Sequence, residues 1–146
     1  MTTWGGYELS KAMSLTLRDR EIVIDRTCAR CGCEYEWGVH VAFFADAAGF
    51  TRDQVASITH GNPNDDCWTE ERDRLLIAAA DSLHEESNLD DSLYDRLAKT
   101  LSEAELLDLT MLAGWYHAIS CTANALQVEL EVGAPRFVDY PSGHRP

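Results

Sequence analysis

Basic residues are scarce in this chain. Lys and Arg number 12 against 25 Asp and Glu, which leaves a formal net charge of −13 over 146 residues. Such a charge repels nucleic-acid backbones and anionic lipid surfaces, so neither is expected as a partner. Long apolar runs are missing too, and no stretch approaches the roughly 18 residues of a membrane span. Residues 1–20 show no basic segment followed by an apolar one, so no signal peptide is expected, and the expected compartment is the cytoplasm, where thiols stay reduced. Proline is rare: Pro63, Pro135, Pro141 and Pro146 leave 1–62 and 64–134 free of helix breakers. Strand-like alternation is confined to Leu126, Val128, Leu130 and Val132. No repeat, low-complexity segment or linker divides the chain. The length fits one domain, 1–146, with a core over about 15–130 and a tail over 131–146.

What is present reads as helix. Thr51-Arg-Asp-Gln54 and Ser102-Glu-Ala-Glu105 fit the capping box, in which a hydroxyl and a carboxyl or amide satisfy free backbone N–H groups. Thr16 and Thr69 are further plausible caps, and Gly49 and Gly61 stand where helices would stop. The spacing predicts helices near 16–31, 34–48, 51–59, 69–86, 90–100 and 102–127. Leu75, Leu76, Ala79 and Leu83 form a one-sided stripe. Between Leu106 and Ile119 the last helix is apolar on every face, which predicts a central helix or one facing another subunit. The tail carries Phe137, Val138 and Tyr140, which should dock on something, a neighbouring subunit included.

The densest chemistry lies in Arg26-Thr-Cys-Ala-Arg-Cys-Gly-Cys-Glu-Tyr-Glu-Trp-Gly-Val-His40. Glu36 and His40 are i and i+4 and share a helix face. A carboxylate beside an imidazole fixes its tautomer and raises its basicity. Cys33 stands at the start of that helix, where a thiol near a histidine can have a lowered pKa. The plainer alternative is a surface pair with one packed cysteine. The five cysteines (Cys28, Cys31, Cys33, Cys67, Cys121) are an odd number, and three of them are too close together for a disulfide framework. Cys28-Ala-Arg-Cys31 is a Cys-x-x-Cys motif whose thiols Arg26 and Arg30 could activate, or two inert core thiols. Cys28, Cys31, Cys33, Glu36 and His40 could ligate zinc. No second pair follows downstream, however, and His60, His84 and His117 look isolated, so no metal is expected. Asp25 sits among Ile22, Val23 and Ile24 and needs a partner if buried, with Arg26 and His40 as the options.

Arg20-Glu-Ile-Val-Ile24, Cys33-Glu-Tyr-Glu-Trp-Gly-Val-His40, Ala47-Ala-Gly-Phe-Thr51 and Gly114-Trp-Tyr-His117 together resemble the carboxymuconolactone decarboxylase and alkylhydroperoxidase D superfamily. The resemblance runs from about Leu15 to Leu130. It implies an all-α bundle of about six helices, assembled as a homotrimer or homohexamer, with active sites near subunit contacts. The peroxidase branch resembles a glutamate, then Cys-x-x-Cys, then a histidine four residues on. Anchored on His40, Glu21 and Cys33 are in register, but position 36 is glutamate and the resolving thiol is missing. The decarboxylase branch resembles Glu-x-x-x-His, which Glu36 and His40 satisfy.

The expected function is therefore a cofactor-independent acid/base enzyme acting on a small carboxylated lactone or related carbonyl compound. His40, Glu36, Cys33 and Glu21 are its expected catalytic residues. Tyr35, Trp37, Tyr116 and His117 are its expected substrate-binding residues. The alternatives are a thiol-dependent peroxidase or disulfide reductase using Cys33 with Cys28 or Cys31, and a non-catalytic scaffold that keeps the fold.

Overall fold

The computed structural model describes residues 13–142. The outer ends of the expected 1–146 domain, 1–12 and 143–146, lie outside the described residues. Among the described residues six α-helices follow in order: α1 Leu17–Arg30, α2 Glu34–Phe44, α3 Arg52–His60, α4 Glu71–Glu86, α5 Asp91–Thr100 and α6 Glu103–Ala125. A 3₁₀ turn, Phe137–Asp139, sits in the tail. No strand occurs among the described residues, and 126–132 is irregular and mostly exposed.

Local chemistry sets the boundaries. Thr16, Thr51 and Ser102 each cap a helix through reciprocal hydrogen bonds with Asp19, Gln54 and Glu105. Thr69 is not a cap; Glu70 occupies that position. The second helix ends at Phe44, with turns over 45–49 and Gly49 at φ +73°. Gly32, at φ +63°, lets α1 fold back against α2 as a hairpin.

The helix buried all round is α1, not α6. From Asp19 to Cys28 every residue except the half-buried Arg20 is buried, and α1 packs against α2, α3, α4 and α6. The sequence pattern hides this because α1 is rich in charge. Its charges can be buried because nearly all are paired. Arg18 bonds Asp73 at 2.7 Å, Asp19 bonds Arg72 at 2.8 Å, and Arg26 bonds Asp81 at 2.6 Å. All three pairs lace α1 to α4. In contrast, α6 leaves Leu107 62 %, Met111 43 % and Trp115 36 % exposed, although its other side is core.

The tail docks on its own chain. Phe137 and Tyr140 stack edge-on to Trp37, with centroids at 4.8 and 5.8 Å. The Phe137 N–H donates to Glu34 at 2.7 Å. Gly38 permits this, because a Cβ there would lie 2.8 Å from the Pro135 carbonyl oxygen.

Candidate functional site

Three helices converge on one imidazole. From α1 come Glu21 and Asp25, one turn apart on a buried face; from α2 come His40 and Glu36; from α6 comes Tyr116. His40 Nδ1 lies 2.8 Å from Glu21 Oε2. On the other side, His40 Nε2 lies 3.1 Å from the Tyr116 hydroxyl and 3.5 Å from Glu36 Oε1. The Phe44 ring adds an apolar wall with its centroid at 5.3 Å. Glu21, Asp25, His40 and Tyr116 are all buried, while the Glu36 side chain is 19 % exposed and connects the cluster to solvent.

Burial alone would disfavour a charged imidazole. Hydrogen bonds to Glu21 and Glu36, with the nearby Glu21 and Asp25 charges, overcome it and push the His40 pKa up to about 10. The resting imidazole is therefore protonated at neutral pH, with Nδ1–H donating to Glu21. Asp25 moves the other way from an ordinary aspartate. Burial, then repulsion from Glu21, raises it well above its usual value despite the attraction of His40. One Asp25 oxygen, Oδ1, is buried without a hydrogen-bond partner. Of its two expected partners, Arg26 turns away to Asp81, and the His40 side remains.

The other expected site residues separate into those near His40 and those elsewhere. Cys33 is the N-cap of α2 and wholly buried, and it makes no side-chain hydrogen bond to Glu36 or His40 among the described residues. Trp37 is core, sealed by the tail, rather than a pocket wall. Tyr35 is half-buried and donates to Glu131 at 3.3 Å. His117 faces away from His40, with its ring 5.4 Å from that of His84. Tyr116 and His117 are neighbours in sequence, but about 100° per residue along a helix sends them to different faces.

The thiols are poorly placed for redox activation. All five cysteines are free. Burial pushes Cys28 well above its usual range, and also raises Cys31. Arg26 and Arg30, expected to activate them, are engaged by Asp81 and Glu85. Two groups of possible metal ligands exist among the described residues: Glu21 with Asp25 and His40, and Cys31 with His84 and His117. In the first, all three members are buried, and Glu21 and His40 are hydrogen-bonded to each other. Two surface cavities, of about 570 and 390 Å³, lie elsewhere and are lined by none of Glu21, Cys33, Glu36 or His40.

Sequence reasoning missed how His84 and His117 meet. His117 and Cys121 form an i,i+4 pair on α6, and that spacing was the readable signal.

Comparison with known families gives a match to the carboxymuconolactone decarboxylase family over residues 1–81. The matched region contains Glu21, Cys33, Glu36 and His40; Tyr116 lies outside it. No curated protein matches the chain. No helix among the described residues is long and apolar enough to cross a membrane.

Proposed function

The chain belongs to the carboxymuconolactone decarboxylase family, and from that premise we propose that it is a cofactor-independent acid/base enzyme acting on a small carboxylated lactone or related carbonyl compound. His40 is the proton carrier. As the carbon–carboxylate bond breaks, the electron pair passes into an enolate and carbon dioxide leaves. The protonated imidazole then donates from Nε2 to the carbon. Neutral His40 regains its proton from solvent through Glu36. Glu21 holds the ring through Nδ1, and the Tyr116 hydroxyl is positioned to stabilise negative charge on the enolate oxygen.

The observation that carries this reading is the grip on the imidazole: Glu21 on one nitrogen, Tyr116 and Glu36 on the other. Glu36 also stands where the redox relatives would carry a thiol. Cys28 and Cys33 are both fully buried, which weighs against the peroxidase alternative. The reading extends to a homotrimer or homohexamer in the cytoplasm whose subunit contacts complete the substrate pocket. Exposed Phe43 on α2 and exposed Leu107, Met111 and Trp115 on α6 support such contacts. An apolar stripe of this kind on a monomer usually marks an interface.

One observation favours a second reading, the non-catalytic scaffold: His40 is only 4 % exposed in the single chain. The deciding experiment is carbon dioxide release from carboxylated lactones by the wild-type protein and by His40→Gln. Loss of turnover by about 10³-fold, within the usual range for a general acid, is expected. Oligomeric state should be unchanged, and the variant should still unfold in one cooperative transition. Equal turnover in the two proteins removes the acid/base reading, and no turnover in either favours the scaffold. Mass spectrometry after stoichiometric peroxide should find every thiol intact; a disulfide involving Cys33 would restore the peroxidase.

A further inference from the structure

Cys31, His84 and His117 come from three different segments and meet on the side of α6 away from His40. Cys31 is the C-cap of α1, His84 lies in the last turn of α4, and His117 lies in the middle of α6. One ligand atom from each lies within 4.8 Å of both others. The Cys31 sulfur is 3.7 Å from His84 Nδ1. In a tetrahedral zinc site, sulfur at about 2.3 Å and nitrogen at about 2.05 Å from the metal are separated by roughly 3.6 Å. The existing spacing is therefore close to that of two ligands sharing one ion.

We propose that Cys31, His84 and His117 form a binding site for a thiolate- and imidazole-preferring divalent metal, zinc above all. Three protein ligands leave a fourth position. A water can reach it from the cavity of about 390 Å³ that His84 and His117 both line together with Thr27, Ser87 and Thr110. Thr27 is among the residues lining this cavity, and its hydroxyl is buried without a hydrogen-bond partner. Cys121, one turn beyond His117, places its sulfur 3.8 Å from His117 Nδ1. A contact on that nitrogen orients the ring and leaves Nε2 for the metal, as outer partners of ligating histidines commonly do. On binding, the Cys31 thiol gives its proton to solvent and its sulfur forms the metal bond.

The chemistry suits zinc better than a hard cation. No carboxylate belongs to the group, and one soft sulfur with two imidazoles selects against magnesium and calcium. Being separate from His40, the site is independent of whether the acid/base reading holds.

The test is titration of the metal-free, full-length protein with zinc against a chelating dye. One zinc per chain is expected. His84→Ala and Cys31→Ser should each weaken binding by at least about 100-fold, and His40→Gln should bind like wild type. Cobalt in place of zinc should give tetrahedral visible bands and a thiolate charge-transfer band that Cys31→Ser removes. A measurement without substitution guards against misfolded variants: one equivalent of zinc should slow alkylation of Cys31 at least tenfold while leaving Cys67 unchanged. Absence of stoichiometric binding, undiminished binding by His84→Ala, or loss of binding in His40→Gln would each overturn the proposal. The last would move the metal to the Glu21, Asp25 and His40 cluster.

Discussion

His40 and His84 are both drawn towards the neutral state by burial, yet they end on opposite sides of an ordinary histidine. His40 is pushed up to about 10 because carboxyl groups surround it: Glu21 and Glu36 by hydrogen bonds, Glu21 and Asp25 by charge. His84 is pulled down by burial, then by His117 and Arg30, and the weaker pull of Glu85 and Asp81 does not reverse this. The same side chain thus becomes a proton store in one place and a neutral nitrogen donor in the other. Desolvation has the same sign at both, so the neighbours decide. The two regions also differ in enclosure. The His40 cluster is closed within the core, whereas the His84 cluster borders a cavity.

The largest expected break in that comparison is in stability. His40→Ala leaves Glu21 buried without its partner, which should cost about 3–5 kcal/mol, the usual penalty for removing one member of a buried pair. Urea unfolding reads it directly, and a loss below about 1 kcal/mol would mean that water or another donor already serves Glu21. The next effect is pH dependence. The folded pKa of His40 lies above that of the unfolded chain, so its contribution is fully present below about pH 6.5. That contribution is lost as pH rises towards 10. Wild-type stability should fall across that window by on the order of a few kcal/mol, and His40→Gln should show a flatter alkaline limb. Parallel limbs in the two proteins would show that another group controls it. The smallest effect belongs to the second region. With metal removed, His84→Ala should change stability by no more than about 0.5 kcal/mol, since its side chain is half-exposed and its main polar contact is a weak sulfur–nitrogen one. A cost comparable to that of His40→Ala would erase the distinction between a closed core cluster and an open site.

Much of the fold was legible because it is local. Caps at Thr16, Thr51 and Ser102 act within four residues, so reading them needs no partner helix. Glu36 and His40 likewise share a face through spacing alone. Which helix lies at the centre was not legible, for a different reason. Hydrophobic periodicity credits apolar residues with burial, and α1 is central although it carries Arg18, Asp19, Glu21, Asp25 and Arg26. Its burial depends on Arg72, Asp73 and Asp81, some 53 to 55 positions away. Nothing within α1 announces them.

Tyr116 and His117 mark the same boundary. The sequence places both on one helix, and helical geometry already separates their faces. Only packing determines that α2 covers one face and α4 the other, giving the Tyr116 hydroxyl to His40 and the His117 ring to His84. Left to itself, the sequence determined these six helices, the capped starts at Thr16, Thr51 and Ser102 and the pairing of Glu36 with His40, because backbone hydrogen bonding and side-chain spacing are properties of neighbouring residues. The tertiary structure decided which helix is buried, which charges neutralise each other and which histidine stays protonated. Burial, Coulomb attraction and metal-ligand spacing depend on distance in space, and the chain brings residues such as Cys31 and His84 together only when it folds.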